Sequence, residues 1–361
     1  MPPELHLLDL KVVGNPPFVE YAKIRNEYAV RNYKTEACGN LYAYVIERAR
    51  QLGGADCHAG FILPMAGMSS RRMEELRRLL LDSTSMLHVS SYAGDAHPSI
   101  LFEGVRLRLS IVTYRHIATS NVSNVICNTN FRRWYAAERD VLFPITTFCQ
   151  AGPVLSSSVF PKLSGVHAKN VWGRLQTYSS SSPLAVHLET GCEVFYQEAA
   201  QYFVKATKRL PYFSKNGVEG APPHGRFVIC SELQAPALVA LLSSTLFYFW
   251  YHAISDCYHV SDSVVQTFPT ARSVLYDAEL AKLGVALESQ LHSQAKIVSI
   301  KTTAGDEIAY AAFNYQDLRP ILGEIDRVIA HHYGLADEET DFVRGYDVKY
   351  RMGQGMDDTD D

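Results

Sequence analysis

The sequence lacks the features that mark several large classes of protein. It contains no run of about 18 apolar residues, so no transmembrane helix is expected. Its first residues, Met-Pro-Pro-Glu, form neither the basic segment nor the apolar core of a secretory signal. We therefore expect a cytoplasmic protein with no membrane partner.

Its cysteines and histidines form no recognisable site. The seven cysteines are scattered over positions 38, 57, 127, 149, 192, 230 and 257, and no two form a C-x-x-C pair. An odd number without a pattern suggests reduced thiols rather than a disulfide framework or a zinc site. The histidines lack partners at metal-ligand spacing, so we expect no metal site. A G-x-S-x-G motif, which would support Ser/His/Asp catalysis, is also missing.

Charge is unevenly distributed along the 361 residues, a length sufficient for two or three domains. The whole chain has a net charge of −4. Residues 101–230 carry 14 basic and 7 acidic side chains, whereas residues 231–361 carry 9 basic and 20 acidic ones. A basic central region is typical of a protein that binds a polyanion, although an ordinary solvated surface explains the balance equally well.

The first part of the chain alternates between strand and helix patterns. Apolar runs predict strands over residues 5–13, 58–64 and 85–90. Helical spacing predicts helices over residues 41–52 and from Ser69 or Ser70 to Leu81, the second with an outward face listed as Arg71, Arg72, Arg77 and Arg78. After a break at Gly104, residues 106–114 predict a strand with Leu107, Leu109 and Ile111 on one face. This order predicts an α/β fold, the second half of a doubly wound sheet, in which ligands bind at the carboxyl ends of strands.

The pattern changes after residue 115. Mixed short elements continue to about residue 270, and helices are predicted over residues 277–296 and 318–333. An apolar helix over residues 238–252 contains the aromatic run 247–251, which indicates core rather than a DNA contact. Aromatic and basic residues interleave in residues 202–213, a pattern that suits contacts to DNA; the candidates are Tyr202, Lys205, Lys208 and Arg209. The histidines His331 and His332 are expected to be surface or hydrogen-bonded polar groups.

The stretch of greatest chemical interest is Asn15-Pro16-Pro17-Phe18, which directly follows the first predicted strand. Asn-Pro and Pro-Pro are ordinary turn signals, because proline fixes φ and restricts the residue before it. An amide, two prolines and an aromatic ring nevertheless form a rigid clamp for a flat group that carries an amine, such as a nucleobase. At the end of an apolar strand, the sequence favours this binding function over a plain turn.

Together these residues resemble the N6-adenine-specific DNA methyltransferases of the restriction-modification type, which have an NPPF motif and a TaqI-like recognition domain. The matching segments come in order, and they are VVGNPPF at 12–18, NLYAYVIERARQLGG at 40–54, GFILP at 60–64, SSRRMEELRRLL at 69–80, LFEGVRLRLSI at 101–111, residues 240–269 and residues 325–351. The first motif is fairly specific, and the joint order of the others strengthens the resemblance.

The resemblance implies a fold, a reaction and a partner. It implies a partial class I methyltransferase domain at 1–115, a mixed α+β target-recognition domain at 116–270 and a C-terminal helical region at 271–361. It also implies that S-adenosylmethionine methylates an adenine flipped out of double-stranded DNA. By the same resemblance, the Asn15 side-chain oxygen and the Pro16 carbonyl accept the two N6 hydrogens. Phe18 stacks on the purine, and Tyr21 or Tyr33 is the candidate for the opposite wall of the site.

The sequence departs from the family in two places. The family has an aspartate at the position of Leu10, whereas here Asp9 stands one residue earlier. The glycine-rich loop and the ribose-binding acidic residue that seat the cofactor are not found, so cofactor-binding residues are unknown. We expect the C-terminal portion of a longer enzyme, or one half of a split enzyme whose partner chain supplies the cofactor-binding part. The alternatives are an inactive DNA-recognition fragment and, third, a protein glutamine methyltransferase.

Overall fold

The computed structural model describes residues 10–54, 56–82, 84–94, 100–117, 125–150, 159–179, 182–200 and 202–351. The chain folds as two compact units, one of residues 1–165 with 252–256 and the other of residues 166–251 with 257–361. The boundaries predicted at residues 115 and 270 do not coincide with this division, and the first falls inside a strand. The assignment of three functional regions stays a prediction.

A six-stranded sheet organises the first unit. Its strands are β1 (Leu10–Gly14), β2 (Asp56–Pro64), β3 (Thr84–Tyr92), β4 (Leu109–Ile117), β5 (Val125–Arg132) and β6 (Cys149–Gln150). They lie in the order β1-β2-β4-β3-β5-β6. Strands β1, β2, β3 and β5 run in one direction, and β4 lies antiparallel between β2 and β3. The predicted α/β class and the alternation of strands and helices along the chain up to β4 are thus confirmed, and the doubly wound arrangement stays a prediction.

The helices of the first unit are α1 (Leu41–Gly53), α2 (Ala66–Ser69), α3 (Glu74–Leu81) and 3-10 helices at Tyr21–Lys23, Glu36–Cys38, Arg71–Met73 and Ala136–Val141. Helices α1 and α3 pack on one face of this sheet through one core cluster. The cluster joins Tyr42 and Ile46 of α1, Leu76 of α3, Phe61 of β2 and Val112 of β4. Burial of these apolar side chains against the sheet supplies the main driving force for folding of this unit.

The helix predicted up to Leu81 is interrupted, and one of its arginines points inward. The chain forms α2, a 3-10 turn and α3 in succession, and the side chains of Ser69 and Ser70 cap neither helix. Arg77 was expected to face solvent, but it is fully buried and donates to the carbonyl oxygens of Gly67 (3.2 Å) and Ser70 (2.8 Å). These carbonyls lie at the break, so the interruption creates the acceptors that hold a buried arginine.

The predicted strands differ from the observed ones in extent and in phase. Strand β1 is described from Leu10 onward, so residues 5–9 of the predicted strand lie outside the described part. It is an edge strand, and its Val13 is 87% exposed rather than buried. Strand β4 begins at Leu109, and Val112 and Tyr114 face the core while Leu107 is exposed. The face that was predicted to be apolar is therefore not the one in the core cluster, although Leu109 itself is buried. Residues 106–108 belong to the connection before β4.

The second unit combines two small antiparallel sheets with helices. Its strands are β7 (Cys192–Gln197), β8 (Ala206–Thr207), β9 (Phe213–Lys215), β10 (Val218–Glu219), β11 (Gly225–Cys230), β12 (Lys296–Lys301) and β13 (Glu307–Ala312). Its helices are α4 (Val166–Ser179), α5 (Ala235–Ser243), α6 (Thr245–Ile254), α7 (Asp262–Gln266), α8 (Arg272–Leu275), α9 (Ala278–Gln294), α10 (Arg319–His332), α11 (Asp337–Gly345) and α12 (Val348–Arg351). The sheets have the orders β10-β9-β13-β12 and β11-β7-β8. The two predicted C-terminal helices are confirmed as α9 and α10.

The apolar helix predicted over residues 238–252 is two helices. Ser244 has extended backbone angles, and its Oγ accepts a hydrogen bond from the Phe247 N–H (3.1 Å), which starts α6 anew. The aromatic run from Phe247 to Tyr251 is buried, so its prediction as core is confirmed. None of the described helices is by itself long and apolar enough to span a membrane; α5 and α6 reach that length and composition only as a pair bent by 61°.

Candidate active site

Sheet topology brings two connections to the same edge of the first unit. Strands β1 and β3 are parallel to one another, so both end at the same edge, and β4 starts there because it runs in the opposite direction. The Asn15 turn follows β1, and the segment from Ile100 to Arg108 leads into β4. The carboxyl edge of a parallel sheet is where ligands bind in open α/β folds.

These two connections line one cleft, here called the Asn15 cleft. Its volume is 430 Å³ and its walls are listed as Asn15, Pro16, Pro17, Phe18, Gly104, Val105, Arg106 and Leu107. All four residues of the predicted clamp thus meet in one concave site. A nucleobase with its sugar is a small ligand, and pockets for such ligands typically start at about 300 Å³.

The clamp is held in place from several sides. Backbone pairing of β1 with β2 fixes Gly14 opposite Phe61. A Cβ atom on Gly14 would lie 3.4 Å from the Phe61 ring, so the two residues are in close contact. Pro16 is buried. The Phe18 ring packs edge-on against Tyr42 of α1, with ring centroids 6.2 Å apart. Two prolines and a supported ring leave this turn little conformational freedom.

Hydrogen bonds close the loop that follows the clamp. The Leu41 N–H donates to the Val19 carbonyl (3.0 Å), and Glu20 forms a bridge with Asn40. Arg72 then ties both sides together by binding the Glu20 carboxylate (2.6 Å) and the Gly39 carbonyl (2.9 Å). Gly39 has a positive φ of 60°, and a side chain there would collide with the Arg72 guanidinium. These contacts hold the two ends of the loop of residues 20–40 together beside the clamp.

Asn15 and Phe18 have the exposure that ligand contacts require. The Asn15 side chain is exposed, and in the part of the chain that the structure describes its amide has no hydrogen-bond partner. Phe18 is half-buried, so it is supported by Tyr42 and still lines the cleft. An amide offers one acceptor oxygen and two donor hydrogens, and an aromatic ring offers a stacking face. This pair can bind a flat, hydrogen-bonding ring system.

The wall opposite Asn15 differs from the one suggested by the sequence. Tyr21 and Tyr33 were candidates, but both rings pack against Tyr44 and neither lines the cleft. The wall is instead the segment after a turn in which the Val105 N–H donates to the Phe102 carbonyl (3.0 Å) and Gly104 has a φ of 73°. Sequence reasoning placed Arg106 and Leu107 on a strand. No local sequence pattern places them at the cleft, because their position depends on the directions of β1, β3 and β4 in the sheet.

The residues proposed for DNA contact divide into two groups. Lys208 and Arg209 line a second cleft of 740 Å³ with α9, which contributes Val285, Glu288, Ser289, His292 and Ser293. Lys208 forms an ion pair with Glu232, and the Arg209 backbone N–H donates to Glu288 (2.6 Å). Two cations at the rim of an open cleft are available to a polyanion, although carboxylates lie beside them.

Tyr202 and Lys205 have partners inside the second unit. The Tyr202 carbonyl accepts a hydrogen bond from the Arg351 Nε (2.7 Å). The Lys205 Nζ lies 4.8 Å from the centre of the Phe313 ring, and desolvation by burial lowers the pKa of Lys205. The structure thus brings Lys208 and Arg209 together and places Lys205 in a more enclosed environment.

The described lining of the Asn15 cleft combines an amide, an aromatic ring and one guanidinium. Among the described residues that line it, none is a carboxylate, the group that typically binds the ribose hydroxyls of a cofactor such as S-adenosylmethionine. We therefore assign no residue of the described chain to that cofactor. Across the described ranges no group of three His, Cys, Asp or Glu side chains could hold a metal ion.

Part of this chain is similar in sequence to a family of restriction-modification methylases. Residues 11–97 match the family model of the Eco57I restriction-modification methylase, a segment that begins in β1 and contains the complete clamp. Similar solved structures include the ATP-dependent Type ISP restriction-modification enzyme LlaBIII bound to DNA, at 10% identity and a TM-score of 0.38, with 95% of this chain and 36% of that chain covered. Two others match at 14% identity. The first is the DrdV–DNA complex, with a TM-score of 0.31; the match covers 53% of this chain and 22% of that chain. The second is a nuclease-deletion mutant of the Type ISP restriction-modification enzyme LlaGI in complex with a DNA substrate mimic, with a TM-score of 0.33; the match covers 52% of this chain and 17% of that chain.

The matched region thus spans 36% or less of these three solved proteins. No curated protein matches the chain.

Proposed function

We propose that this chain carries the acceptor site of a restriction-modification DNA methyltransferase that methylates the N6 amine of adenine. The observation that carries the proposal is the Asn15 cleft, in which an exposed, unpaired amide and a supported aromatic ring share a rigid turn. The match of residues 11–97 to a restriction-modification methylase family covers this turn.

In this proposal the chain's own residues bind and orient the adenine. The Asn15 Oδ1 and the Pro16 carbonyl accept the two N6 hydrogens, which fixes the amine and leaves its lone pair free on one side. Phe18 stacks on the purine ring, a contact that contributes roughly 1–3 kcal/mol. The adenine has to leave the duplex, because its N6 atom is inaccessible to a protein pocket while the base is stacked.

The methyl donor of the proposed reaction is S-adenosylmethionine, which supplies an electrophilic methyl group. The contribution of the cleft is positioning, which can account for a large part of a rate enhancement. A separate polypeptide part is proposed to bind the donor. Among the described strands β1 lies at the end of the sheet, and an edge strand is a place at which another strand can extend a sheet.

Transfer of a labelled methyl group to DNA tests the proposal. The chain is combined with a cofactor-binding part from a matched methylase, and unmethylated genomic DNA is the substrate, since the recognised sequence is unknown. We expect N6-methyladenine as the product. Asn15→Ala should abolish transfer and leave DNA binding largely intact, because DNA affinity resides mainly in phosphate contacts. Unchanged transfer by Asn15→Ala would contradict the assignment.

Two controls separate the alternatives. A recognition fragment without activity would bind DNA but transfer no methyl group, whichever cofactor-binding part it is combined with. A protein glutamine methyltransferase would label a glutamine-containing peptide and leave DNA unlabelled. The Arg71→Gln variant serves as a surface control, because Arg71 is exposed and lies outside the cleft lining.

DNA binding itself is proposed to involve residues 115–270, with Lys208 and Arg209 at the second cleft. Phosphate contacts release counterions, so affinity should fall steeply between roughly 50 and 200 mM salt. Replacing both Lys208 and Arg209 with glutamine should weaken binding and flatten the salt dependence, in contrast to the same change at the exposed pair Arg25 and Arg31. Equal effects of the two double variants would contradict the role of the second cleft.

A further inference from the structure

Arg106 is the cationic side chain in the wall of the Asn15 cleft. It lies opposite Asn15, Pro16, Pro17 and Phe18, and its side chain is exposed. Throughout the described ranges its guanidinium has no hydrogen bond, ion pair or ring contact. The other cleft residues are uncharged, so Arg106 alone gives the described lining a positive charge.

The backbone around Arg106 is fixed on both sides. Before it, the turn at Gly104 is closed by the bridge between Phe102 and Val105, and Ile100 pairs with Gly94. After it, the Arg108 carbonyl accepts a hydrogen bond from the Met65 N–H (2.9 Å). The segment therefore presents Arg106 from an anchored position rather than from a free loop.

A second arginine fastens this segment to the rest of the unit. The Arg139 Nη2 donates to the Leu101 carbonyl (2.8 Å), and the Arg139 guanidinium lies 5.7 Å from the centre of the Phe143 ring. Phe143 in turn packs against Tyr92 at the end of β3. Arg139 and Phe143 thus connect the segment that carries Arg106 to the end of β3.

We propose that Arg106 binds a backbone phosphate directly beside the adenosine that occupies the Asn15 cleft. The inference rests on the proposed function, because a flipped nucleotide enters the cleft with its sugar and both flanking phosphates attached. The clamp provides an amide and an aromatic ring for the base, and it has no group for an anion. A guanidinium matches phosphate geometry through two parallel N–H donors, which suits it for this contact. Arg106 therefore sets where the backbone lies while Asn15 and Phe18 engage the base.

Binding of small ligands to the full chain tests this assignment without knowledge of the target sequence. NMR titration compares 2′-deoxyadenosine with its 5′-monophosphate and its 3′-monophosphate at low salt. We expect one monophosphate to bind the wild-type chain roughly tenfold more tightly than the nucleoside, the effect of a hydrogen bond to a charged group. Arg106→Gln should bind nucleoside and monophosphates equally. Arg106→Lys should keep part of the preference for monophosphate, because the positive charge remains while the two parallel N–H donors of the guanidinium are lost.

Duplex DNA provides the second measurement. Loss of one phosphate contact should make the dependence of log affinity on log salt shallower by about 0.9 in Arg106→Gln. Arg71→Gln is the matched control, since Arg71 is an exposed arginine of the same unit outside the cleft, and its slope should stay at the wild-type value. An unchanged slope in Arg106→Gln, a preference for monophosphate that survives this substitution, or an equal loss in Arg71→Gln would each overturn the assignment.

Failure of the proposed function has a different signature. If the wild-type chain transfers no methyl group to DNA in any pairing, while Arg106→Gln still loses phosphate preference and salt slope, the phosphate contact stands and the methyl-transfer assignment falls. If the wild-type chain transfers methyl groups and Arg106→Gln keeps the preference for monophosphate and the wild-type salt slope, the methyl-transfer assignment stands and the phosphate contact of Arg106 falls.

Discussion

Phe18 of the clamp and Tyr42 of α1 pack at right angles, with an interplanar angle of 87° and ring centroids 6.2 Å apart. Tyr42 is buried in the core cluster of the first unit, whereas Phe18 is half-buried and reaches the Asn15 cleft. The contact therefore connects the hydrophobic core directly to the proposed base-stacking residue. It makes the orientation of Phe18 a consequence of folding rather than of ligand binding.

Shortening Tyr42 should consequently loosen both the core and the clamp. We expect Tyr42→Ala to lower the free energy of unfolding by about 3–5 kcal/mol, the usual cost of removing a buried aromatic ring. Tyr42→Phe keeps the ring and should cost less than about 1.5 kcal/mol, in the range of volume-conserving changes. Urea denaturation measures both variants. Equal stabilities of the two would show that the ring contact contributes little.

Gly94 is expected to be intolerant of any side chain because of its closeness to the cleft wall. A Cβ on Gly94 would lie 2.0 Å from the Leu107 carbonyl oxygen, and backbone cannot move aside as a flexible side chain can. Gly94→Ala should therefore displace the segment that carries Arg106 and Leu107, at a cost of at least about 1–3 kcal/mol. Gly60→Ala is the matched control, since its Cβ would meet Thr113 at an ordinary 3.5 Å. Thermal unfolding should separate the two variants, and an unperturbed Gly94→Ala protein would be inconsistent with this geometry.

The adjacent arginines 77 and 78 should differ greatly in their contribution to stability. Arg77 is fully buried and donates to two carbonyls, and burial lowers its pKa to about 10. Arg78 is exposed and pairs with Glu74 and Glu75 at 2.7 and 2.6 Å. We expect Arg77→Met to lower the free energy of unfolding by about 2–3 kcal/mol, since two carbonyls lose a charged donor. Arg78→Gln should cost less than about 1 kcal/mol. Chemical denaturation of both variants checks the difference, which sequence patterning alone would not anticipate.

Stability of the second unit should depend on pH through Asp326. This buried carboxylate accepts a hydrogen bond from the Thr245 N–H at the start of α6 (2.7 Å), yet desolvation raises its pKa from 3.8 to about 6. Between these values the folded state binds more protons than the unfolded state, so the free energy of unfolding falls as pH rises. The contribution is complete below pH 3.8 and lost above about pH 6, and at 1.36 kcal/mol per pKa unit it amounts to about 3 kcal/mol.

Asp326→Asn isolates this contribution, because the amide oxygen still accepts from Thr245 and does not titrate. The difference in unfolding free energy between wild type and Asp326→Asn should change by about 3 kcal/mol between acidic and neutral pH. Urea denaturation across that range gives the difference directly. A constant difference would mean that Asp326 titrates as it does in the unfolded chain.

Local sequence patterns were sufficient for the succession of the main strands and helices from β1 to β4 and for the aromatic core of α6. Both depend on the spacing of apolar residues, which follows from the geometry of strands and helices. They failed at Arg77 and in the phase of β4. Arg77 is buried because the succession of α2, a 3-10 turn and α3 places the Gly67 and Ser70 carbonyls within hydrogen-bond distance of its guanidinium. Strand β4 begins only at Leu109, because the segment before it forms the connection that returns from β3. Such breaks arise from tertiary contacts that spacing does not encode.

For the candidate site, the sequence alone determined the clamp. The rigid turn Asn15–Phe18 is local, since two prolines restrict the backbone and the strand before it is apolar. The tertiary structure decided what faces it. Only the parallel course of β1 and β3, with β4 reversed between its neighbours, brings Arg106 from more than eighty residues along the chain to the opposite wall. That meeting depends on strand direction and pairing over long distances in the sequence, which no local pattern specifies.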